Sequence, residues 1–322
     1  MSKTIRFLLL CGAILMLPLG SMAQTFPSKP LRIVVPFGAG GVADLTARTV
    51  AQKLSESLGQ SVVVDNRPGA GGVVAGDAVA KAEPDGHTLL LISNGTAVSA
   101  GLFKSLPYDT LHDFAPVSTL GFFDLAIVTP ADSPFKTLGD LLVYAKANPG
   151  KLNIASINIG STQNLAAELF KTTAGIDVQI VPYNGSPAVI TALRGKQVHA
   201  AVEILAPLLS QINSGALRAL AVTGAARASV LPDVPTAKES GVVGFVASSW
   251  NGLAVPAKTP KAVIERLNRD VVAALNGADV KKRLRDLNVD AQSSTPEQAA
   301  ELLRSETKRW GDVIIRAKIA PQ

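Results

Sequence analysis

A glycine-rich stretch near the start of the chain has the residue types that hold an anion. GAGGVA at 38–43 follows the apolar run LRIVV and precedes a helical pattern. Glycines let the backbone approach a ligand closely, and the first amides of a helix carry partial positive charge. The stretch also fits G-x-G-x-x-G/A, the dinucleotide fingerprint, and Asp65 ends the next apolar run. The sequence therefore predicts that this turn binds a phosphate or a carboxylate.

Polar residues follow three further strand-like runs, at the end where open α/β sheets bind ligands. SNGT lies at 93–96, IGSTQN at 159–164 and YNGS at 183–186, and Glu203 ends the run HAAVE. Hydroxyls and backbone amides at such turns donate the hydrogen bonds that carboxylates accept. The candidate ligand-binding residues are Phe37, Gly38, Ala39, Gly40, Gly41, Val42, Asp44, Ser93, Asn94, Thr96, Asn158, Gly160, Ser161, Thr162, Gln163, Asn164, Tyr183, Gly185 and Glu203.

Ordinary structural roles compete with binding at several of these positions. Asp44 lies in a first helical turn, where an acid is favourable without any ligand. Ser161 or Thr162 can cap the helix that follows, and Tyr183 can pack inside with its hydroxyl satisfied. Glu203 can select a ligand with an amino group, repel a second carboxylate, or form only a hydrogen bond at a hinge.

Strand-like and helical patterns alternate along almost the whole chain, which predicts an α/β fold. Apolar runs at 31–35, 61–65 and 87–93 are separated by helical patterns, and such continuous runs are typical of parallel strands covered on both faces. A second α/β unit spans roughly 127–245. The last helices, which we expect to open at Thr259-Pro260 and at Thr295, need a sheet to cover, so we expect the chain to return to the first unit. The chain would then pass between the two units twice, and a cleft would lie between them.

The first 23 residues have the composition of an export signal. Lys3 and Arg6 precede the apolar run FLLLCGAILMLPLG, and Ser21-Met22-Ala23 resembles a small-residue cleavage site. The apolar run is too short to cross a membrane comfortably. We therefore predict a cleaved signal peptide at 1–23 and a periplasmic location for the mature chain.

Composition argues against several classes of function. The only cysteine, Cys11, falls inside the signal, so the mature chain has no thiol for a disulfide, a metal or a nucleophile. The three histidines lack partners at metal-binding spacing, and neither H-E-x-x-H nor G-x-S-x-G occurs. Without Lys3 and Arg6 the net charge falls from +6 to +4, and 5% aromatic residues suit nucleic-acid binding poorly. We expect no enzymatic activity, no metal, no cofactor and no nucleic-acid partner, and we expect a monomer.

Motifs throughout the chain resemble one family of proteins. PFGAGGVADLTAR at 36–48, VVVDNRPGAGGVVAGDAVAKAEPDGHTLLL at 62–91, VPYNGSPAVITALRGKQV at 181–198 and WNGLAVPAKTPKAVIERLN at 250–268 are similar to the substrate-binding proteins of tripartite tricarboxylate transporters, the Bug family. The resemblance covers essentially all of the mature chain, in order. It implies two doubly wound α/β lobes with a cleft between them, like a type II periplasmic binding protein. Lobe 1 would comprise 24–126 plus 246–322, and lobe 2 would comprise 127–245.

The resemblance also implies a function. Such a protein closes on a small carboxylate, such as a di- or tricarboxylate, an acidic amino acid or an aromatic acid, and delivers it to a membrane permease. The loop matching 37–42 holds a ligand carboxylate through backbone amides, helped by ordered water. The sequence departs from the family pattern at Asn158, usually glycine, at Asn164, usually histidine, and at Glu203, usually aspartate.

Two other functions compete with this one. The fingerprint at 38–43 allows an NAD(P)-dependent oxidoreductase, but export, the insertion of Pro36-Phe37 before the glycines, and a second glycine turn directly after Asp65 count against it. The protein can also report its ligand to a sensor kinase, because the binding chemistry would be the same.

Overall fold

The computed structural model describes residues 26–157, 159 and 161–321. The predicted signal peptide, Asn158 and Gly160 lie outside the described residues.

The described strands are β1 (Leu31–Val35), β2 (Val62–Asn66), β3 (Thr88–Ser93), β4 (Phe114–Pro130), β5 (Leu152–Ile157), β6 (Val178–Tyr183), β7 (Ala200–Ile204), β8 (Leu217–Val222) and β9 (Ser248–Pro256). The α-helices are α1 (Val42–Leu58), α2 (Val73–Ala80), α3 (Asn94–Leu102), α4 (Leu138–Ala147), α5 (Thr162–Ala174), α6 (Ser186–Arg194), α7 (Leu205–Asn213), α8 (Lys261–Asn276), α9 (Ala278–Asp286) and α10 (Pro296–Arg316).

The strands form one continuous sheet with two halves that share β4. Its order is β2-β1-β3-β9-β4-β7-β5-β6, and β8 also pairs with β4. β1 lies parallel to β2 and β3, and β5 lies parallel to β6 and β7. Each half therefore has a parallel set of strands, with antiparallel partners only around β4 and β9.

Helices cover both faces of each half of the sheet. In the first half, α1, α8 and α9 share a core with one face, and α2, α3 and α10 share a core with the other. In the second half, α4 and α5 cover one face and α6 and α7 cover the other. This confirms the predicted two-lobed α/β fold. It also explains why β1 and β3 are almost continuously apolar, since both of their faces are covered.

The late part of the chain packs on the first half of the sheet. β9 inserts between β3 and β4, α8 contacts α1 and β4, and α10 contacts α3 and β4. The lobe boundaries given above stay predictions, because β4 itself runs through the first of them.

Three details differ from the sequence-based expectations. The strand pattern was expected to restart near 125, but β4 is a single strand of 17 residues. The residues after β3 were expected to form a loop, but they begin α3. Thr259 was expected to cap α8; instead Pro260 occupies that position, and the Thr259 hydroxyl has no hydrogen-bond partner among the described residues.

Candidate functional site

The register of the sheet brings the carboxyl ends of both parallel sets to one place. Ser93, the last residue of β3, pairs with Asn251, and Asn251 pairs with Gly121 on β4. Ile204, the last residue of β7, pairs with Leu125, only four residues further along β4. The helices that follow these strands therefore start on either side of the middle of β4. Both sets of predicted turns lie there, as the carboxyl-end rule for α/β sheets requires.

The glycine turn between β1 and α1 is fixed from beneath by a buried carboxylate. Asp44 is 1% exposed, and its Oδ2 accepts hydrogen bonds from the Gly40 amide at 2.8 Å and from Arg48 Nε at 3.0 Å. Its Oδ1 accepts from Asn66 Nδ2 at 2.9 Å, and Asn66 Nδ2 also donates to the Phe37 carbonyl at 3.0 Å. Burial alone would raise the pKa of Asp44, but these hydrogen bonds and the Arg48 charge outweigh it and lower the pKa.

This network leaves the outer surface of the turn open. Residues 37–41 are exposed, and α1 starts at Gly41 with no side-chain cap. The amides of Gly38, Ala39 and Gly41 make no hydrogen bond to any described residue. Gly40 has a φ of 83°, a left-handed conformation that favours glycine, and a Cβ placed there would meet nothing within 4 Å. The turn thus presents free backbone donors at the positive end of a helix, which suits an anion.

The start of α3 adjoins this turn. The Ser93 hydroxyl accepts from the Gly95 amide at 3.1 Å, and the Thr96 hydroxyl accepts from the Ser93 amide at 3.2 Å, so both residues form a capping box. A Cβ at Gly95 would lie 3.6 Å from Phe37 Cζ, which places the Phe37 ring against this helix start. Asn94 is fully buried, and its Nδ2 donates to the Ser248 carbonyl at 2.9 Å. These three polar side chains therefore all have structural roles at the cleft edge.

The second glycine turn has a packing role. A Cβ at Gly71 would lie 3.0 Å from the Phe103 ring, and one at Gly72 would lie 3.2 Å from Pro36. Asp65, the residue in the position of a ribose-binding acid, forms an ion pair with Arg67 at 2.9 Å. The second turn therefore packs against Pro36, directly before the first turn, and the Asp65 carboxylate is already in an ion pair.

In the second lobe, the start of α5 is held by hydrogen bonds among buried side chains. The Ser161 hydroxyl caps the helix by accepting from the Asn164 amide at 3.1 Å, and Asn164 Nδ2 donates to the Ser156 hydroxyl at 3.3 Å. Gln163 Nε2 donates to Glu203 Oε1 at 2.8 Å. Thr162, Gln163 and Asn164 are all buried, so their side chains brace the turn, while the neighbouring Ile159 is 51% exposed.

Glu203 is completely buried beneath α5. Its Oε1 also accepts from the Ile204 amide at 2.7 Å, and Oε2 has no hydrogen-bond partner within 3.5 Å among the described residues. Burial raises the pKa of Glu203 to about 7, although Gln163, the Ile204 amide and the nearby Ser186 hydroxyl favour the charged form. The side chain is thus poised between its neutral and charged forms near neutral pH.

The third predicted turn begins α6. Tyr183 is half-buried and packs against the core beneath α6 and α7. Gly185 has a φ of 87° and occupies the cap position with no side-chain hydrogen bond, and Pro187 lies in the first helical turn. α6 therefore resembles α1 in having a glycine at its start in place of a capping side chain.

Three residues of this region were not among the sequence-based candidates. Arg48 pairs with Asp44, four residues earlier on α1, and donates to Asn66 Oδ1 at 3.0 Å. Asn66 was treated only as part of the second turn. Asn251, buried in the middle of β9, was not considered. The pairing of Arg48 with Asp44 follows from their i,i+4 spacing on α1. Asn66 and Asn251 carry no such local signal, because they reach the site only through the pairing of distant strands.

A separate cavity of about 580 Å³ lies away from the cleft, between the end of α3, the segment after it and α10. Phe103, Tyr108, Leu111 and Thr307 contribute to its lining, and none of the candidate residues does.

The protein has two α/β lobes that share one sheet, and helices of both lobes begin near the middle of that sheet. This arrangement defines a class, the two-lobed solute-binding proteins. A sequence profile of the TctC family, described as the tripartite tricarboxylate transporter family receptor, matches residues 46–319. The chain belongs to this family.

Relatives of known structure or name agree with this assignment. Protein BugT of Bordetella pertussis is 38% identical over 294 residues, which cover 91% of this chain and 90% of BugT. The structure described as R. palustris Rpa4515 with adipate is 33% identical, with a TM-score of 0.85, over 92% of this chain and all of that one. MatC from Rhodopseudomonas palustris with bound malate is 34% identical, with a TM-score of 0.79, over 90% of this chain and all of that one. A further structure, described as that of the periplasmic binding protein BugD, is 31% identical, with a TM-score of 0.82, over 92% of this chain and all of that one.

Within 26–321, Asn158 and Gly160 apart, none of the helices has the length and apolar character needed to cross a bilayer.

Proposed function

We propose that this protein is exported to the periplasm, captures a small carboxylate between its lobes and delivers it to the membrane permease of a tripartite transporter. The observation that carries the proposal is the glycine turn, in which three exposed amides have no partner among the described residues and a buried carboxylate fixes the loop. Adipate and malate in two relatives support a carboxylate as the ligand.

The proposed mechanism assigns one end of the ligand to each lobe. A ligand carboxylate binds the amides of the 37–42 turn while the lobes are apart. Closure then brings the starts of α5 and α6, with Ser161, Tyr183 and Gly185, onto the other end. Hinge closure of this kind is typical of periplasmic binders. The lobes connect where β4 passes its middle and where the Ala247 amide donates to the Thr223 carbonyl at 2.8 Å, so we place the hinge there.

A ligand screen tests the class of ligand. The chain without residues 1–23 would be tested by thermal shift against mono-, di- and tricarboxylates, acidic amino acids, NAD⁺ and NADP⁺. A ligand at about 100 times its dissociation constant adds about 2.7 kcal/mol to the free energy of unfolding. Stabilisation by a dinucleotide and by no carboxylate would refute the proposal.

A matched pair of variants tests the location of the site. Gly40 and Gly59 lie at opposite ends of α1, both have positive φ, and a Cβ at either would meet nothing within 4 Å. Gly40→Leu and Gly59→Leu should therefore each cost about 1–2 kcal/mol of stability through backbone strain. Only Gly40→Leu should abolish carboxylate binding in calorimetry. Binding that persists in Gly40→Leu would show that the turn is not the anion site.

The partner is tested separately from the ligand. Co-purification of the ligand-loaded protein with the permease of a tripartite transporter supports delivery, whereas co-purification with the periplasmic domain of a sensor kinase would favour reporting.

A further inference from the structure

Asn251 has a buried amide side chain in the middle of the sheet, and this amide has no hydrogen-bond partner among the residues that the structure describes. It is 1% exposed, and neither Nδ2 nor Oδ1 is paired with any residue that the structure describes. A buried amide left unpaired destabilises the fold, because each of its polar groups has lost hydrogen bonds to water without gaining a partner. A purely structural role is therefore unfavourable, because leucine would fill the same space without that cost.

The strand register places Asn251 at the level of the glycine turn. Val34 on β1 pairs with Leu90 on β3, and Ser93, three residues further, pairs with Asn251. Three residues beyond Val34 is Phe37, where the glycine turn begins. Asn251 is thus at the level of the sheet where the chain leaves β1 and enters the glycine turn.

Asn251 also faces the side of the sheet on which the turn lies. Alternate residues of a strand point to opposite faces. Leu253 and Val255, two and four residues further along β9, belong to the core that α1 covers. Ile204 of the second lobe packs against this same core. The amide therefore lies below the start of α1, where the end of β7 meets the first lobe.

The chemistry of the amide selects its ligand group. Asn251 offers an acceptor oxygen at one end of its amide and a donor NH2 group at the other. The adjacent Asn94 has a buried Oδ1 that is likewise unpaired among the described residues. A carboxylate would leave the acceptors unpaired, and an ammonium would leave the donor unpaired. A hydroxyl both donates and accepts, so it can pair with both ends of the amide.

We propose that Asn251 is a specificity-determining residue that hydrogen-bonds a hydroxyl group on the bound carboxylate. The proposal rests on the carboxylate-binding function above and narrows it to hydroxy acids. The ligand carboxylate binds the amides of the glycine turn, and its hydroxyl reaches down to Asn251 when the lobes close.

Titration calorimetry with three five-carbon diacids tests this. Glutarate, 2-oxoglutarate and 2-hydroxyglutarate differ only in a methylene, a carbonyl or a hydroxyl at one carbon. The protein should bind 2-hydroxyglutarate about tenfold or more tighter than the other two, since one neutral hydrogen bond contributes about 1 kcal/mol and an unpaired polar group costs more. Succinate and malate form a second pair, in which malate should bind tighter.

Asn251→Leu should remove this preference and leave glutarate binding within about threefold of the wild-type value. Thr259→Val is the matched control, because the Thr259 hydroxyl is also buried and unpaired among the described residues but lies beyond the far end of β9. It should keep the preference for the hydroxyl. If Asn251→Leu does not fold, Asn251→Ala is used with the same three diacids.

Three outcomes decide the matter. Loss of the hydroxyl preference in the Asn251 variant alone supports the proposal. An equal loss of affinity for all three diacids, or a preference that is unchanged in the variant, overturns it. No binding of any carboxylate in the wild-type protein refutes the carboxylate-binding function itself, and the inference about Asn251 falls with it.

Discussion

Replacing Glu203 with glutamine should change how the stability of the protein depends on pH. Glutamine retains an acceptor at Oε1 for Gln163 Nε2 and the Ile204 amide, which donate at 2.8 and 2.7 Å. It removes only the buried negative charge. The comparison therefore isolates the cost of ionising this one side chain in the folded protein.

The magnitude follows from the pKa of Glu203, which burial raises from 4.5 to about 7. The folded protein then holds a proton that the unfolded chain has released, so this stabilisation is complete below pH 4.5 and is lost as the pH rises through 7. One pKa unit corresponds to about 1.4 kcal/mol, so the loss totals about 3 kcal/mol, of which about 2–3 kcal/mol falls between pH 5 and 8.

Urea unfolding of both proteins without ligand, at intervals from pH 5 to 8.5, measures the effect. The free energy of unfolding of the wild type should fall relative to that of Glu203→Gln by this amount. Asp124→Asn provides a comparison, because burial and Asp290 raise the pKa of Asp124 only to about 6, so its loss should be complete at a lower pH. Parallel curves for the wild type and Glu203→Gln would refute the reasoning, since they would mean that Glu203 ionises as easily in the fold as in the unfolded chain.

Two further predictions concern the glycine turn and the last helix. Asp44→Asn should lower the free energy of unfolding by about 2–3 kcal/mol at pH 7, because it removes charge-assisted hydrogen bonds from the Gly40 amide and Arg48. It should also weaken carboxylate binding in calorimetry. Unchanged affinity would mean that the turn keeps its shape without the Asp44 carboxylate. Thr295→Ala should lower the free energy of unfolding in urea by about 1 kcal/mol, because it removes the cap of α10. Thr137→Ala, which removes the equivalent capping box of α4, should cost a similar amount. No loss of stability in either variant would contradict the capping geometry.

The regular elements could be predicted where one physical signal dominates. α1 was predicted at about 42–58 from its apolar spacing and extends from Val42 to Leu58. β1 was predicted from the apolar run at 31–35, and its bounds, Leu31–Val35, are confirmed. In both cases the local pattern and the tertiary environment favour the same structure.

The first half of β4 could not be predicted, because its partners are distant in sequence. Ser118 and Thr119 interrupt the apolar pattern, and the register with β9 shifts on either side of them. Their hydroxyls hydrogen-bond to the carbonyls of Ser294 and Gln292, more than 170 residues away. α3 escaped prediction for a related reason. It is rich in small residues and is stabilised by its capping box and by packing against α10.

The candidate site likewise contains residues that local sequence patterns predict and residues that they do not. The glycine turn could be predicted from its local motif, and the i,i+4 spacing of Asp44 and Arg48 on α1 was a local signal that the sequence analysis missed. Asn66 and Asn251 could not be predicted, because strand pairing brings them to the turn. Burial also separates bracing residues from residues that can meet a ligand, and the sequence does not reveal that difference. Gln163 and Glu203 are polar residues at predicted turns, yet both are buried and bonded to each other.

The interactions beneath the turn also favour a carboxylate over a pyrophosphate. A pyrophosphate needs most of the backbone donors of such a turn and an acid free to bind ribose. Here Asp44 already occupies the Gly40 amide, and Asp65 is paired with Arg67. The buried charge of Asp44 also offsets part of the positive potential at the start of α1. The remaining amides of Gly38, Ala39 and Gly41 suit a single carboxylate, and this is the physical reason to expect that dinucleotides will fail where small carboxylates bind.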